Sequence, residues 1–88
     1  NLSGDIRGLN VYPNPAKDIL KLTLPQGMVN KPVEISILSI DGKLIMSQKS
    51  AYAEKEEVFD VSGFANGKYI IRLKSEKEFA CKTIQVIH

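Results

Sequence analysis

One thiol, one imidazole and a scatter of hydroxyls and carboxylates are the groups in this 88-residue chain that could support nucleophilic, acid–base or metal chemistry. Their spacing works against all three. A reactive cysteine needs a base or a positive charge that stabilises its thiolate. Cys81 instead lies in Phe79-Ala80-Cys81-Lys82-Thr83-Ile84, a stretch with the alternation of a strand and no local residue placed for that role. It reads as a half-buried small hydrophobe. A Ser-His-Asp arrangement would have to use His88, the final residue, which is expected to be loosely held. A single cysteine and a single histidine make no ligand-spaced cluster, and no phosphate loop, dinucleotide fingerprint or calcium loop is present. Glu56 and Glu57 are adjacent on a strand-like run, so they point to opposite faces and cannot act on one bond. The reading is a non-enzymatic protein without metal or cofactor.

Composition places the chain among ordinary folded domains. With 43% hydrophobic and 25% charged residues, 88 residues suffice for one small core and not for two domains. The formal charge is +2, from 12 basic and 10 acidic residues with signs interspersed, which argues against a nucleic-acid partner or a membrane-binding basic stripe. A lone cysteine allows no internal disulfide, so packing must hold the fold. No segment approaches the roughly 20 apolar residues of a membrane span, and the first ten residues lack the apolar core of a signal peptide. If the chain is exported, an upstream segment must carry the export signal, so these residues are expected to be the end of a longer protein.

Short runs of Val, Ile, Leu, Tyr and Phe alternate with Pro, Gly, Asn and Asp at the spacing of an all-β sandwich. Seven strands are predicted: Leu9 to Tyr12, Ile19 to Leu24, Val33 to Ile40, Leu44 to Lys49, Glu57 to Val61, Lys68 to Lys74 and Glu78 to Ile87. Alternation puts Leu20, Leu22 and Leu24 on one face of the second run, Val33, Ile35 and Ile37 on one face of the third, and Tyr69, Ile71 and Leu73 on one face of the sixth. Asp41-Gly42 between apolar runs predicts a two-residue type I′ hairpin, and Asn66-Gly67 a short loop. Met28-Val29 reads as a loop patch, and residues 1–8 as a linker. No helix of ordinary length fits, since the most helix-compatible stretch, Ala51 to Val58, runs into the strand-like Phe59-Asp60-Val61.

The segment Tyr12-Pro13-Asn14-Pro15-Ala16 is a rigid corner. Both prolines fix φ and lack an amide proton, and both push the preceding residue toward extended geometry. Asn14 is expected to accept a local backbone hydrogen bond or to adopt a left-handed conformation, with the whole corner displayed to solvent.

Taken in order, the corner, then Ile37 to Lys43 with its Asp41-Gly42, then Gly67-Lys68-Tyr69-Ile70-Ile71-Arg72-Leu73, then the basic-apolar end from Lys82 to Ile87, resemble the type A C-terminal sorting domain of the type IX secretion system. The resemblance covers residues 9–88. It implies an immunoglobulin-like antiparallel β-sandwich at the end of a cargo protein of Bacteroidota. Such cargo crosses the inner membrane by Sec, is recognised in the periplasm by the outer-membrane translocon, and is in many members cut by a sortase-like cysteine peptidase and joined to anionic lipopolysaccharide at the cell surface. The partners implied are therefore the translocon, the peptidase and an N-terminal cargo domain.

Carried over by residue, Tyr12, Pro13, Asn14 and Pro15, with Lys82, Ile84, Val86 and Ile87, are the candidate recognition residues. Asp41, Gly42, Gly67 and Tyr69 are the candidate fold determinants. The chain departs from the pattern in ending Val86-Ile87-His88 rather than near a basic residue, which weakens a charge-based account of terminal recognition but not one based on strand addition. An accessory module binding carbohydrate or protein would need an exposed aromatic platform, and Tyr52, Phe59, Phe64 and Phe79 are the residues that decide it. A passive spacer and self-pairing of the isolated domain through its strand edges remain open alternatives.

Overall fold

A computed structural model describes residues 9–88, so the linker expected over residues 1–8 lies outside the described residues. Seven strands form as the alternation predicts: β1 (Asn10–Tyr12), β2 (Ile19–Thr23), β3 (Val33–Ser39), β4 (Leu44–Ser50), β5 (Glu56–Asp60), β6 (Gly67–Lys74) and β7 (Phe79–Val86). They pair antiparallel in two sheets, three strands in the order β1-β2-β5 and four in the order β4-β3-β6-β7. The chain changes sheets after β2, after β4 and after β5, giving an all-β sandwich of immunoglobulin-like architecture.

The core is the set of inward positions. Leu20, Leu22 and Leu24 are fully buried, as are Ile71 and Leu73, with Val33, Ile35, Ile37, Phe59, Tyr69 and Ile84 nearly so. Register places Ile35 against Leu73 and Ile37 against Ile71 across β3 and β6, and Leu20 against Phe59 across β2 and β5. Each such aliphatic side chain contributes about 2 kcal/mol on leaving water, which lets a small sandwich without a disulfide stand.

One expectation needs correction. Asp41-Gly42 is not a two-residue type I′ hairpin. Gly42 has φ +93°, whereas Asp41 keeps a negative φ, and the Gly42 amide donates to the Ser39 carbonyl at 2.9 Å. The loop is Ile40-Asp41-Gly42, a turn followed by a left-handed glycine. It forms because Asp41 can stay right-handed while its carboxylate takes the Ser39 hydroxyl. Met28-Val29 lies in the connection between β2 and β3, where Gln26–Met28 forms a 3-10 turn that drives Met28 fully into the core. Ser36, on the outer face of β3, is 3% exposed because β3 lies inside the sheet with Ser47 and Arg72 as its cross-strand neighbours.

Tyr69 locks the passage from β5 to β6. Its ring is buried and tilted 51° against Phe64 at a centroid separation of 5.1 Å, and its hydroxyl donates to the Ala65 carbonyl at 2.6 Å. This is the geometry of a tyrosine corner, a tie found in immunoglobulin-like sandwiches. Gly67, at φ +154°, starts β6 within the segment that this tie closes.

Replacing Tyr69 with phenylalanine keeps the ring and removes that hydrogen bond. Urea denaturation should show a loss of about 1 kcal/mol, and an unchanged midpoint would refute the tie. The carboxyls of Asp41 and Asp60 sit below the ordinary carboxylate range, the first chiefly through the Ser39 hydroxyl and the second chiefly through the Ser62 amide. Their folded-state values are depressed, so the stability they confer is complete above the unfolded value near about pH 4 and is lost as pH falls through the folded value. The denaturation midpoint of an Asp41→Asn, Asp60→Asn double variant should consequently vary less between pH 5 and pH 2 than that of the parent, at about those limits.

Candidate functional site

The corner joins β1 to β2 of the same sheet and touches the other sheet on the way, at Ala16. β1 ends at Tyr12, the Tyr12-Pro13 and Asn14-Pro15 peptide bonds are both cis, and the segment delivers Ala16 to the outer side of β7. Tyr12, Pro13, Asn14 and Pro15 are exposed, whereas Ala16 is completely buried and forms a parallel bridge with Val86.

Three hydrogen bonds close the corner on the last strand. The Gln85 amide donates to Asn14 Oδ1 at 3.0 Å, the Ala16 amide donates to the Gln85 carbonyl at 2.7 Å, and the Ile87 amide donates to the Ala16 carbonyl at 2.9 Å. Asn14 Oδ1 thus occupies the acceptor position that a neighbouring strand would otherwise fill. The expected local bond is replaced by one spanning 71 positions. Just beyond, the His88 amide donates to Asn66 Oδ1 at 3.0 Å, and a ring nitrogen of His88 lies 2.6 Å from the Phe64 carbonyl. The loose hold expected for His88 is corrected by these two contacts. On the other face of the corner, the Tyr12 hydroxyl donates to Glu56 of β5.

The candidate recognition residues divide by burial. Ile84 and Val86 are in the core at 2% and 0% exposure, so their side chains are closed to a partner while the domain is folded. Ile87 is exposed, and Lys82 is half-buried on the core-facing side of β7, opposite Ile71 of β6. What the end of β7 shows to its surroundings is backbone, Ile87 and the corner laid against it. The fold determinants gather at the same end of the four-stranded sheet. Ser39 pairs with Tyr69, Tyr69 with Ile84, and Gly67 with Val86, so the Asp41-Gly42 loop, the tyrosine corner and the proline corner share one pole.

Gln85 and Asn66 belong to the candidate site and were not singled out from the sequence, whereas Ala16 was named only as the last residue of the corner. None has a local signature, since each matters through a residue far away in the chain. The aromatic side chains make no platform. Phe59 and Tyr69 are buried, and the exposed Phe79 and Tyr52 sit at opposite edges of the four-stranded sheet, on β7 and just after β4. Glu56 and Glu57 do face opposite ways, Glu56 toward Tyr12 and Glu57 toward Gln48 Nε2 at 3.3 Å. Among the described residues, no group of three His, Cys, Asp or Glu is placed to hold a metal ion.

The family model described as a secretion system C-terminal sorting domain matches residues 10–87, from the first residue of β1 to just past β7. No curated protein matches the chain. Members of that family serve as sorting signals rather than catalysts, and the family implies export across the outer membrane to the cell surface or the medium. A match that takes in all seven strands, the proline corner and the tyrosine corner shows that this chain belongs to the family of C-terminal sorting domains of type IX secretion.

Proposed function

We propose that the domain is read in the periplasm by the type IX translocon as a folded surface, and that the surface is the proline corner together with the end of β7. The observation that supports this reading is the closure of Asn14 and Ala16 on Gln85 and Ile87, which makes one rigid epitope of two segments that are separate in sequence. A surface already ordered before docking loses little conformational freedom on binding, so even a modest contact area can be recognised. The core-bound Ile84 and Val86 act by holding β7 in place. Ile87, Pro13, Asn14 and Pro15 are the side chains a partner meets.

In this reading the cargo is N-terminal to Leu9 and has already crossed the inner membrane. A sortase-like cysteine peptidase cuts within residues 1–8 or upstream of them, and the cargo is joined to anionic lipopolysaccharide at the cell surface. The domain itself is the substrate of this handling.

The test is a reporter carrying a Sec signal and ending in residues 1–88, expressed in a type IX-competent host. Surface delivery should be lost when Lys82 to His88 are removed. Asn14→Ala, which leaves every core residue in place, should keep the denaturation midpoint within about 1 kcal/mol while speeding amide exchange at Gln85 and lowering delivery severalfold. Delivery of both variants at the parental level would overturn the proposal. Mass analysis of the delivered reporter should find it without residues 9–88, and an uncut product would refute the cleavage step.

A further inference from the structure

The ladder between β6 and β7 ends where Gly67 pairs with Val86. Ile87 and His88 lie beyond it, where strand pairing no longer holds the chain and fraying is the ordinary outcome. Both are held nevertheless. The Ile87 amide donates to the Ala16 carbonyl at 2.9 Å, and the His88 amide donates to Asn66 Oδ1 at 3.0 Å. Successive amides of an extended chain point to opposite sides, so the first bond reaches out to the proline corner and the second reaches back to the residue before β6. One bond fixes the peptide plane before the Ile87 Cα, and the other fixes the plane after it. With both planes fixed, the direction in which Ile87 sends its side chain is fixed as well. That side chain is 44% exposed at the end of β7.

The connection that carries Asn66 is closed on itself, which makes it a firm anchor. The Val61 amide donates to the Asp18 carbonyl at 2.9 Å, the Ser62 amide to Asp60 Oδ1 at 2.9 Å, and the Phe64 amide to the Val61 carbonyl at 3.0 Å. The tyrosine corner then holds Ala65, the residue before Asn66. A ring nitrogen of His88 meets the Phe64 carbonyl, a second contact to the same connection. Stability alone does not account for these bonds. Asn66, Ile87 and His88 are all exposed, an exposed hydrogen bond exchanged for one to water adds little to the fold, and the buried Val86 already anchors β7 in the core. What the bonds define is orientation.

We propose that Asn66 is a positioning residue of the recognition surface, holding the His88 amide so that Ile87 meets the translocon in one orientation beside Ala16. This rests on the translocon reading above and adds a third segment, the β5–β6 connection, to the surface that is read. A contact group left free to turn must be ordered at docking, and that ordering weakens the complex.

Asn66→Ala in the same reporter removes the acceptor and leaves every core residue in place. Amide exchange at His88 should speed severalfold while the denaturation midpoint stays at the parental value. Surface delivery should fall about threefold, the scale on which ordering one side chain at docking weakens binding. Ile87→Ala should lower delivery at least as far, and parental delivery of that variant overturns the proposal. In the Ile87→Ala background Asn66→Ala should change delivery no further, because no side chain is left to aim. A purely structural role would lower delivery by the same factor in both backgrounds, and that result overturns the proposal. If Asn66→Ala is delivered like the parent while the Lys82 to His88 deletion is not, the positioning role is overturned and the sorting reading stands. Parental delivery of the deletion as well overturns both. Should Asn66→Ala shift the midpoint, His88→Pro removes the same bond from the donor side, outside the sheets. It should lower delivery in the parent and not in the Ile87→Ala background, and any other result overturns the proposal.

Discussion

The Ala16 amide and carbonyl, bonded to Gln85 and Ile87, tie the first connection of the chain, from β1 to β2, to its last strand. Everything particular to this sandwich follows from that tie. Without it, β1 would be a three-residue strand held by β2 alone, and the end of β7 would be an unprotected edge. With it, the two halves of the sequence close on each other, and the corner ends the exposed ladder at a defined residue. The proline pair serves the tie by having no amides of its own to satisfy at the bend, so the β1–β2 connection strands no proline donors on its way to β7.

The same economy appears at the neighbouring connections. The tyrosine corner ties Ala65 to β6, and His88 ties Phe64 and Asn66 to the residues just past β7. The Ser39-Asp41 contact and the left-handed Gly42 shape the adjacent hairpin. These are polar ties around the rim of an apolar core, and each one fixes a loop that burial alone would leave free to vary. A small domain gains little from size, so the ordering of its rim matters more to a single defined shape than it would in a larger protein. A protein inspected by shape requires that definition.

The residues that look most like a terminal signal are largely interior. Ile84 and Val86 face the core, and Lys82 faces inward from an edge. A family motif read as a surface is thus in part a motif for presenting a surface, with the backbone of β7 and the corner as what is presented. The separation of roles is physical. Alternation sends every second side chain inward, so a strand cannot offer all of its side chains to a partner and remain in its sheet.

Seven strands and their core faces were legible in the chain, because period-two alternation and the residues that interrupt it act between neighbours. Leu20, Leu22 and Leu24 on one face, or Tyr69, Ile71 and Leu73 on another, require no knowledge of what lies opposite. Only the tertiary structure decided the rest. It turned Asp41-Gly42 into a three-residue loop, because Asp41 had a partner in Ser39 and had no need of positive φ. Met28 was buried by a turn whose amide bonds bring it under the sheets, and Ser36 by neighbours on both sides of β3. Asn14 was given to Gln85, 71 positions away, and the candidate site came into being with that contact. Local pattern determines which residues can form a strand and which way they face. Which distant group completes a loop, an edge or a recognition surface depends on how the sheets stack, and no window of sequence contains that information.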